Sequence, residues 1–396
     1  MNHVRSLGTA VSAVRFRAAF VVLTVTAAFA ASADTQKSAA GHVVLERVID
    51  GGIQPQAVVD AAGVVHVVFF KGDPAAGNLY YVRRTPEGYS KPVRVNSRDG
   101  SAIALGSVRG AQLALGRANR AHVVWNGSDR VQPRPSSGMP LEYARTSDSG
   151  RFEPERNLVT STEGLDAGGT LAADGEGRVF VAWHANATGS SEADAAVYVR
   201  RSEDEGRSFA REQRANSKEL GACGCCGMRG LVDRAGSLYF LYRAATNGVN
   251  RDMTLLFSRD HGATFSTTRA DPWKLEACPL SSAFLAEGPQ GVTAAWETRN
   301  QIFFGTLAPS SGAVAPPASP AGSGQRKHPA LAYNARGEAL LAWLEDTSWA
   351  RGGSMAWQLY DRDGRATPEH GSARGVPPWG LVAVAPLRDG RWLLLY

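Results

Sequence analysis

Long apolar segments are nearly absent from this 396-residue sequence. One uncharged apolar run, residues 18–31, has about 14 residues, whereas a helix that crosses a bilayer needs about 20. Runs of lysine or arginine are also absent, and the net charge of +6 includes three arginines in residues 1–33 that no acid balances. Nucleic-acid binding is therefore not predicted. No stretch has the periodicity of an amphipathic helix, which argues against helical bundles and α/β folds.

The amino-terminal residues match an export signal. Arg5, Arg15 and Arg17 form a basic segment before the apolar run, and Ala31-Ser32-Ala33 supplies the small-x-small pattern of a cleavage site. We predict a signal peptide over residues 1–33, and a mature protein that is periplasmic or extracellular and has no membrane span. A membrane anchor is the alternative, although the apolar run is short for one.

Glycine is abundant, at 43 residues, which is typical of folds with many tight turns. One phrase recurs seven times: a polar turn with glycine or asparagine, followed by an apolar strand that ends in an aromatic residue. The turns end at residues 63, 120, 177, 236, 291, 337 and 390, at intervals of 46 to 59 residues. This spacing indicates an internal repeat.

Further short apolar strands flank each phrase, giving about four strands per repeat. One such sheet cannot bury both of its faces, but sheets stacked around an axis cover one another. We therefore predict an all-β propeller of four-stranded antiparallel blades over residues 34–396, with seven blades favoured and six as the alternative. The last repeat lacks outer strands, so the strand at 42–48 is predicted to join the carboxy-terminal blade and close the ring. The stretch 308–324, rich in Pro, Ala, Ser and Gly, is predicted to be a flexible loop.

A finer motif follows the third strand of three repeats. Residues 258–265 match the Asp box, Ser-x-Asp-x-Gly-x-Thr-Phe, in full, residues 202–209 carry Ser in place of Thr, and residues 146–152 are one residue short. The aspartates Asp148, Asp204 and Asp260 are spaced 56 residues apart, in step with the repeat. We predict a structural turn in which the aspartate accepts hydrogen bonds from nearby N–H groups and the glycine has a positive φ.

With these motifs the chain resembles the sialidase-like superfamily of Asp-box, or BNR-repeat, propellers, and within it a group of uncharacterised bacterial exo-sialidase-like secreted proteins. The resemblance covers essentially the whole mature chain. It implies that the Asp boxes lie opposite a ligand pocket at the central mouth. In that superfamily an arginine in an Arg-Ile-Pro-like phrase opens the first blade and helps to bind the sugar carboxylate. In this chain residues 52–56 are Gly-Ile-Gln-Pro-Gln, and glutamine lacks the guanidinium fork.

The sequence therefore predicts an exported propeller that binds a glycan or another polar or anionic ligand at its mouth, as a monomer and without standard sialidase chemistry. An active exo-glycosidase, similar to an exo-α-sialidase, is the alternative. Charged and polar residues fall in the loops expected at the mouth, where solvated loop charges are the simpler interpretation. The ligand-binding candidates are His184, Arg229, Arg243, Arg251 and Arg299, and the candidates for acid–base catalysis are Asp252 and Glu297.

All four cysteines lie in two short segments about one repeat apart, with Cys223, Cys225 and Cys226 in the first and Cys278 in the second. An even number of cysteines in an exported protein favours disulfides. We predict a bridge from Cys278 to the first group and, if a second forms, a bridge within that group; no metal or cofactor is expected. The alternative is a redox site or a thiolate site for Cu(I) or zinc.

Overall fold

The computed structural model describes residues 41–106, 108–133, 138–164, 168–186, 194–308, 311–315 and 317–396. These residues belong to one compact unit. The predicted signal peptide, residues 1–33, lies outside them. No helix in the described part of the chain is long and apolar enough to span a membrane.

The predicted seven-bladed propeller is confirmed. Seven sheets surround a central channel, and the inner strand of every sheet contributes to its wall. Two short 3₁₀ turns, Ile49–Gly51 and Arg117–Asn119, are the helical elements among the described residues. The strands were recognisable because both faces of each sheet are buried between neighbouring sheets, so that the second strands form continuous apolar runs.

Each blade is built from short strands that follow one another from the channel outward. Blade 1 contains Ile53–Val59, Val65–Lys71, Asn78–Thr85, Gly88–Tyr89 and Val93–Arg94, and blade 2 contains Gln112–Leu115, Ala121–Asn126, Leu141–Arg145 and Arg156–Asn157. Blade 3 contains Thr170–Ala173, Val179–Asn186, Ala196–Ser202 and Gln213–Arg214, with Glu163–Gly164 also paired to its second strand. Blade 4 contains Arg229–Val232, Leu238–Arg243, Met253–Ser258 and Ser266–Asp271, and blade 5 contains Ala283–Gly288, Gly291–Thr298 and Gln301–Thr306. Blade 6 contains Arg326–Tyr333, Ala339–Glu345, Gly353–Tyr360 and Ala366–Val376, and blade 7 contains Ala383–Pro386, Trp392–Leu395 and Val43–Glu46.

The amino-terminal strand closes the ring, as predicted, but it runs parallel to its neighbour. Val43–Glu46 pairs with Trp392–Leu395, and Trp392 N donates to His42 O at 2.7 Å. The expected antiparallel pairing is therefore wrong at this position. The inner strand of blade 1 begins at the mouth, only seven residues after Glu46. The closing strand must therefore also end at the mouth. Trp392–Leu395 runs toward the mouth as well, so the two strands are parallel.

The hydrophobic core is divided into layers between adjacent blades. The aromatic residues that end the second strands lie in these layers, and Trp125, Trp183 and Trp296 are each at most 2% exposed. Between blades 3 and 4, for example, Phe180 packs with Phe240 and their aliphatic neighbours. Each buried aromatic removes on the order of 150–250 Å² from water, so the repeated aromatic position is a main source of stability.

Blade 5 has three regular strands, and part of the predicted flexible loop covers its edge. Val314 forms an isolated bridge with Leu307, and Ala318 forms another with Phe304. Part of the segment predicted as a flexible loop therefore pairs with the outer edge of blade 5. Backbone N–H and C=O groups at a sheet edge need partners, and the proline-rich segment supplies them irregularly.

Two Asp boxes form closed turns. Asp260 accepts hydrogen bonds from Thr264 N at 2.9 Å and Thr264 Oγ1 at 2.6 Å, and Asp204 accepts equivalent bonds from Ser208. Burial raises the pKa of Asp204, but these bonds outweigh burial and lower the pKa to about 2. The shortened box differs, because the exposed Asp148 pairs with Arg120 at 2.6 Å instead.

Candidate functional site

The two ends of the propeller carry different loops. Glu205, in the Asp box of blade 3, accepts a hydrogen bond from Arg117 N in the first turn of blade 2. His261, in the box of blade 4, lies 3.3 Å from the guanidinium of Arg178 at the start of a second strand. The boxes therefore share one end with the turns between first and second strands. The opposite end, called the mouth below, carries the starts of the inner strands.

The channel narrows at the mouth to a cavity of about 60 Å³, whose lining includes Gln54, Met228, Arg229 and His328. Gln54 belongs to the stretch 52–56, in which the resemblance implies an arginine. It is 2% exposed, and its amide donates to Ala104 O at 2.9 Å. The side chain thus links blade 1 to a neighbouring loop rather than pointing toward a ligand.

The backbone around the cavity at the mouth is strained at two residues. Gln54 and His328 have φ values of 52° and 53°, and each precedes a proline in an interrupted pairing at the start of an inner strand. A positive φ is uncommon for residues other than glycine and costs on the order of 1–3 kcal/mol, and such residues cluster at functional sites. The repeated x-Pro phrase, Gln54-Pro55 and His328-Pro329, was a signal in the sequence that the predictions above did not use.

Arg229 lines the cavity, as expected from the sequence. Its guanidinium donates to Gln112 Oε1 at 2.6 Å and lies 3.8 Å from the centroid of the Phe284 ring. Burial lowers the pKa of Arg229 to about 9. The group still carries its charge at neutral pH, so the channel has one cation near its narrowest point.

Arg243 is brought to the same region but is completely buried. Its guanidinium donates to Ser281 Oγ at 2.8 Å and to the carbonyl oxygens of Arg251 and Glu297. It also lies 4.9 Å from the ring centroid of Trp273. Arg243 therefore ties blade 4 to blade 5, and a ligand would have to displace protein partners to reach it.

The two other arginine candidates in this region hold the segment 271–273. Arg251 N donates to Trp273 O at 2.7 Å, and its side chain is almost entirely buried. Arg299 is exposed and donates to Pro272 O at 2.9 Å. Asp252 caps the same segment, because its Oδ1 accepts from Trp273 N at 2.9 Å. These polar residues thus organise a loop beside the mouth.

Glu297, the other candidate acid, lies in an unusual environment. The residue is 0% exposed, its Oε1 lies 3.3 Å from Lys327 Nζ, and its Oε2 has no hydrogen-bond partner among the described residues. Burial raises the pKa of Glu297 to about 7, against the opposing charges of Lys327 and Arg243. Asp252 instead pairs with Arg269 at 3.6 Å and with Trp273 N, so the structure does not pair the two candidate acids.

His184, Cys223 and Cys226 occupy the interior next to blade 4. His184 is 1% exposed, neither ring nitrogen has a hydrogen-bond partner in the described part of the chain, and burial lowers the pKa of the imidazole to about 4. All four thiols are free; Cys223 and Cys226 are buried, whereas Cys278 is exposed. The disulfide from Cys278 to the first group stays a prediction.

Trp349 is a feature of the mouth that was not predicted from the sequence. It is 49% exposed, and the guanidinium of Arg109 lies 5.9 Å from its ring centroid. Beside Trp349 lies a small cavity of about 40 Å³, which Lys327 and His328 also line. His328 lines the channel cavity as well, so the two cavities are neighbours. An aromatic residue alone in a polar loop, outside every apolar strand, was the available signal.

Comparison with solved structures agrees with this architecture. A protein of unknown function from Dyadobacter fermentans superposes with a TM-score of 0.51 at 14% identity, over 75% of this chain and 91% of that chain. The Hadza microbial sialidase Hz136 gives 0.48 at 15% identity, over 81% and 71% of the two chains. An α-L-arabinanase from Penicillium chrysogenum, complexed with arabinobiose, gives 0.46 at 11% identity, over 83% and 95%.

The chain has the fold of a seven-bladed β-propeller. No family model matches the sequence, and no curated protein matches it. At 11–15% identity the structural likeness shows the fold alone, so the activities named for those proteins remain theirs. What this propeller binds depends on the residues of its own mouth.

Proposed function

We propose that this protein is an exported sialidase-like propeller that binds an acidic glycan at its mouth without hydrolysing it. The observation that carries the proposal is the exposed Trp349 with Arg109 and Lys327 around the same rim. The proposed export rests on the sequence of residues 1–33, with its basic segment, apolar run and cleavage pattern.

The chemistry of this rim suits a carboxylated sugar. The face of a tryptophan ring packs against the apolar face of a pyranose, and its exposure leaves room for that contact. Arg109 and Lys327 are cations at the same rim, the second of them 3.3 Å from Glu297 Oε1, and Arg229 adds another charge in the channel wall. Cations in a cleft attract an anionic ligand and raise the rate at which it binds.

Binding is favoured over hydrolysis because the two candidate acids, Glu297 and Asp252, are already engaged by protein partners. Most retaining glycosidases need two carboxyl groups about 5–5.5 Å apart and inverting ones need them about 6.5–9.5 Å apart, whereas sialidases use a tyrosine nucleophile together with a carboxyl acid that must reach the sugar. Glu297 is enclosed with Lys327, and Asp252 accepts a hydrogen bond from Trp273 N. Neither group is presented to the mouth as a free acid.

Hydrolysis is the second candidate function, and one observation favours it. The pKa of Glu297, raised to about 7 by burial, suits a general acid at neutral pH. Glu297 would have to separate from Lys327 and gain access to the mouth. In that case Lys327 would be free to hold the carboxylate of the sugar.

Glycan binding is tested by calorimetric titration of the mature protein with sialyllactose, oligogalacturonate and neutral lactose. We expect an acidic sugar to bind more tightly than lactose, and Trp349→Ala and Arg109→Ala each to weaken that binding by about tenfold or more. Arg234→Ala is the matched control, because Arg234 is exposed at the opposite end of the propeller. Equal affinity for acidic and neutral sugars, or an equal loss with Arg234→Ala, contradicts the proposal.

A fluorogenic sialoside separates the two candidate functions. The binding proposal predicts no release of fluorophore above background by the wild-type protein. Turnover by the wild type that disappears in Glu297→Gln would establish the hydrolytic alternative for this substrate.

A further inference from the structure

Three cysteines converge on one point beside blade 4. The sulfur atoms of Cys223, Cys225 and Cys226 all lie within 4.8 Å of one another. The Sγ of Cys223 is 3.3 Å from that of Cys225 and 3.4 Å from that of Cys226. Sulfurs that bind one metal ion at about 2.3 Å lie about 3.8–4.0 Å apart. Small rotations of the side chains would therefore bring all three sulfurs to bonding distance of one ion.

The backbone already holds this loop in place. Cys223 N donates to Arg243 O at 2.8 Å, which anchors the loop to the second strand of blade 4. Gly227 N donates to Ser281 O at 2.9 Å, which anchors its other end to the segment before blade 5. A site held at both ends loses little conformational freedom when a ligand binds.

The surroundings of the three thiols suit negative charge. Arg243 donates to Ser281 Oγ at 2.8 Å, and Ser281 Oγ lies 3.4 Å from the Sγ of Cys226. This relay places a buried cation behind the sulfur, where it stabilises a thiolate. Cys223 and Cys226 are completely buried, whereas Cys225 is partly accessible and gives the loop a route to solvent.

His184 is an independent sign of a missing partner. It is almost completely buried, and both of its ring nitrogens lack a hydrogen bond to any described residue, which is costly for an imidazole in a protein interior. It lies near Cys226. His184 does not belong to the group of three mutually close sulfurs, so it is not counted as a ligand of the same ion.

The number of donors distinguishes between soft metal ions. Among the residues that the structure describes, no fourth cysteine, histidine or carboxylate joins the three sulfurs. Thiolates bind both zinc and Cu(I), but structural zinc takes four protein ligands, whereas Cu(I) tolerates two or three. We propose that Cys223, Cys225 and Cys226 form a site for one Cu(I) ion, with Cys278 outside it.

The test is an anaerobic titration of the mature, reduced protein with Cu(I) in competition with bicinchoninate. We expect one equivalent to bind and three of the four thiols to become unreactive toward a thiol reagent, with Cys278 remaining reactive. Cys278→Ser should bind Cu(I) like the wild type. Cys225→Ser, at the partly accessible position, should bind at least about tenfold more weakly while its circular dichroism stays unchanged.

Several outcomes would overturn the proposal. One is the absence of stoichiometric binding by the folded wild type. A second is equal weakening by Cys278→Ser and Cys225→Ser. Tighter binding of zinc than of Cu(I) would refute the copper assignment. A disulfide between Cys278 and the loop, found by peptide mapping of protein secreted into oxidising medium, would show that the sequence-based disulfide prediction is correct instead.

Discussion

The substitution Glu297→Gln is expected to change how stability depends on pH. Gln keeps the shape of the side chain but cannot ionise, and Glu297 is fully buried with one carboxylate oxygen that lacks a partner among the described residues. Burial raises the pKa of Glu297 from 4.5 to about 7. The folded state therefore holds a proton that the unfolded state releases at a lower pH.

The sign and size of the effect follow from this difference. A carboxyl with a raised folded pKa contributes its full stability below pH 4.5, and this contribution is lost as the pH rises through about 7. A difference of about 2.5 pKa units corresponds to about 3 kcal/mol. Relative to the wild type, Glu297→Gln should therefore gain up to about 3 kcal/mol between pH 4 and pH 8.

Urea unfolding at several pH values measures this directly. The free energy of unfolding is compared for wild type, Glu297→Gln and the control Glu203→Gln, which changes an exposed glutamate. The wild type and the control should lose stability together between pH 4 and pH 8, while the curve of Glu297→Gln stays flatter. Parallel curves for wild type and Glu297→Gln would refute the burial argument.

Three further substitutions test other parts of the molecule. Glu155 accepts hydrogen bonds that lower its pKa to about 2, although burial raises it. Its contribution to the free energy of unfolding is therefore lost as the pH falls from 4.5 to 2. Glu155→Gln should cost about 3 kcal/mol of stability at pH 6, and an equal cost at pH 2 would contradict this reasoning. Asp260→Ala should lower the free energy of unfolding by about 1–2 kcal/mol in urea, and more than Asp148→Ala, because Asp260 closes its turn by accepting hydrogen bonds from Thr264, whereas Asp148 pairs with Arg120 instead. Trp349→Ala should leave stability within about 0.5 kcal/mol of the wild type by the same measurement, since the ring is half exposed; a larger loss would assign it a packing role.

Much of the candidate site could not be predicted from the sequence. Arg243 and His184 stand at or near the ends of second strands, and the repeat predicts that such residues lie in one region. The repeat does not reveal that both side chains turn into the interior, because their partners come from other blades: Arg243 meets Ser281, 38 residues later. Arg229 and Gln112 are 117 residues apart and meet only because the ring closes.

The sequence by itself determined the blade and the closure of the ring, and it favoured seven blades over six. These features depend on apolar runs and turns that recur within about 50 residues, and each repeat carries the signal again. Only the tertiary structure decided which charges are buried, that Trp349 faces solvent, and that three sulfurs lie within 4.8 Å. The physical reason is that desolvation and pairing depend on side chains from neighbouring blades, whose approach is set by packing around the axis rather than by local sequence.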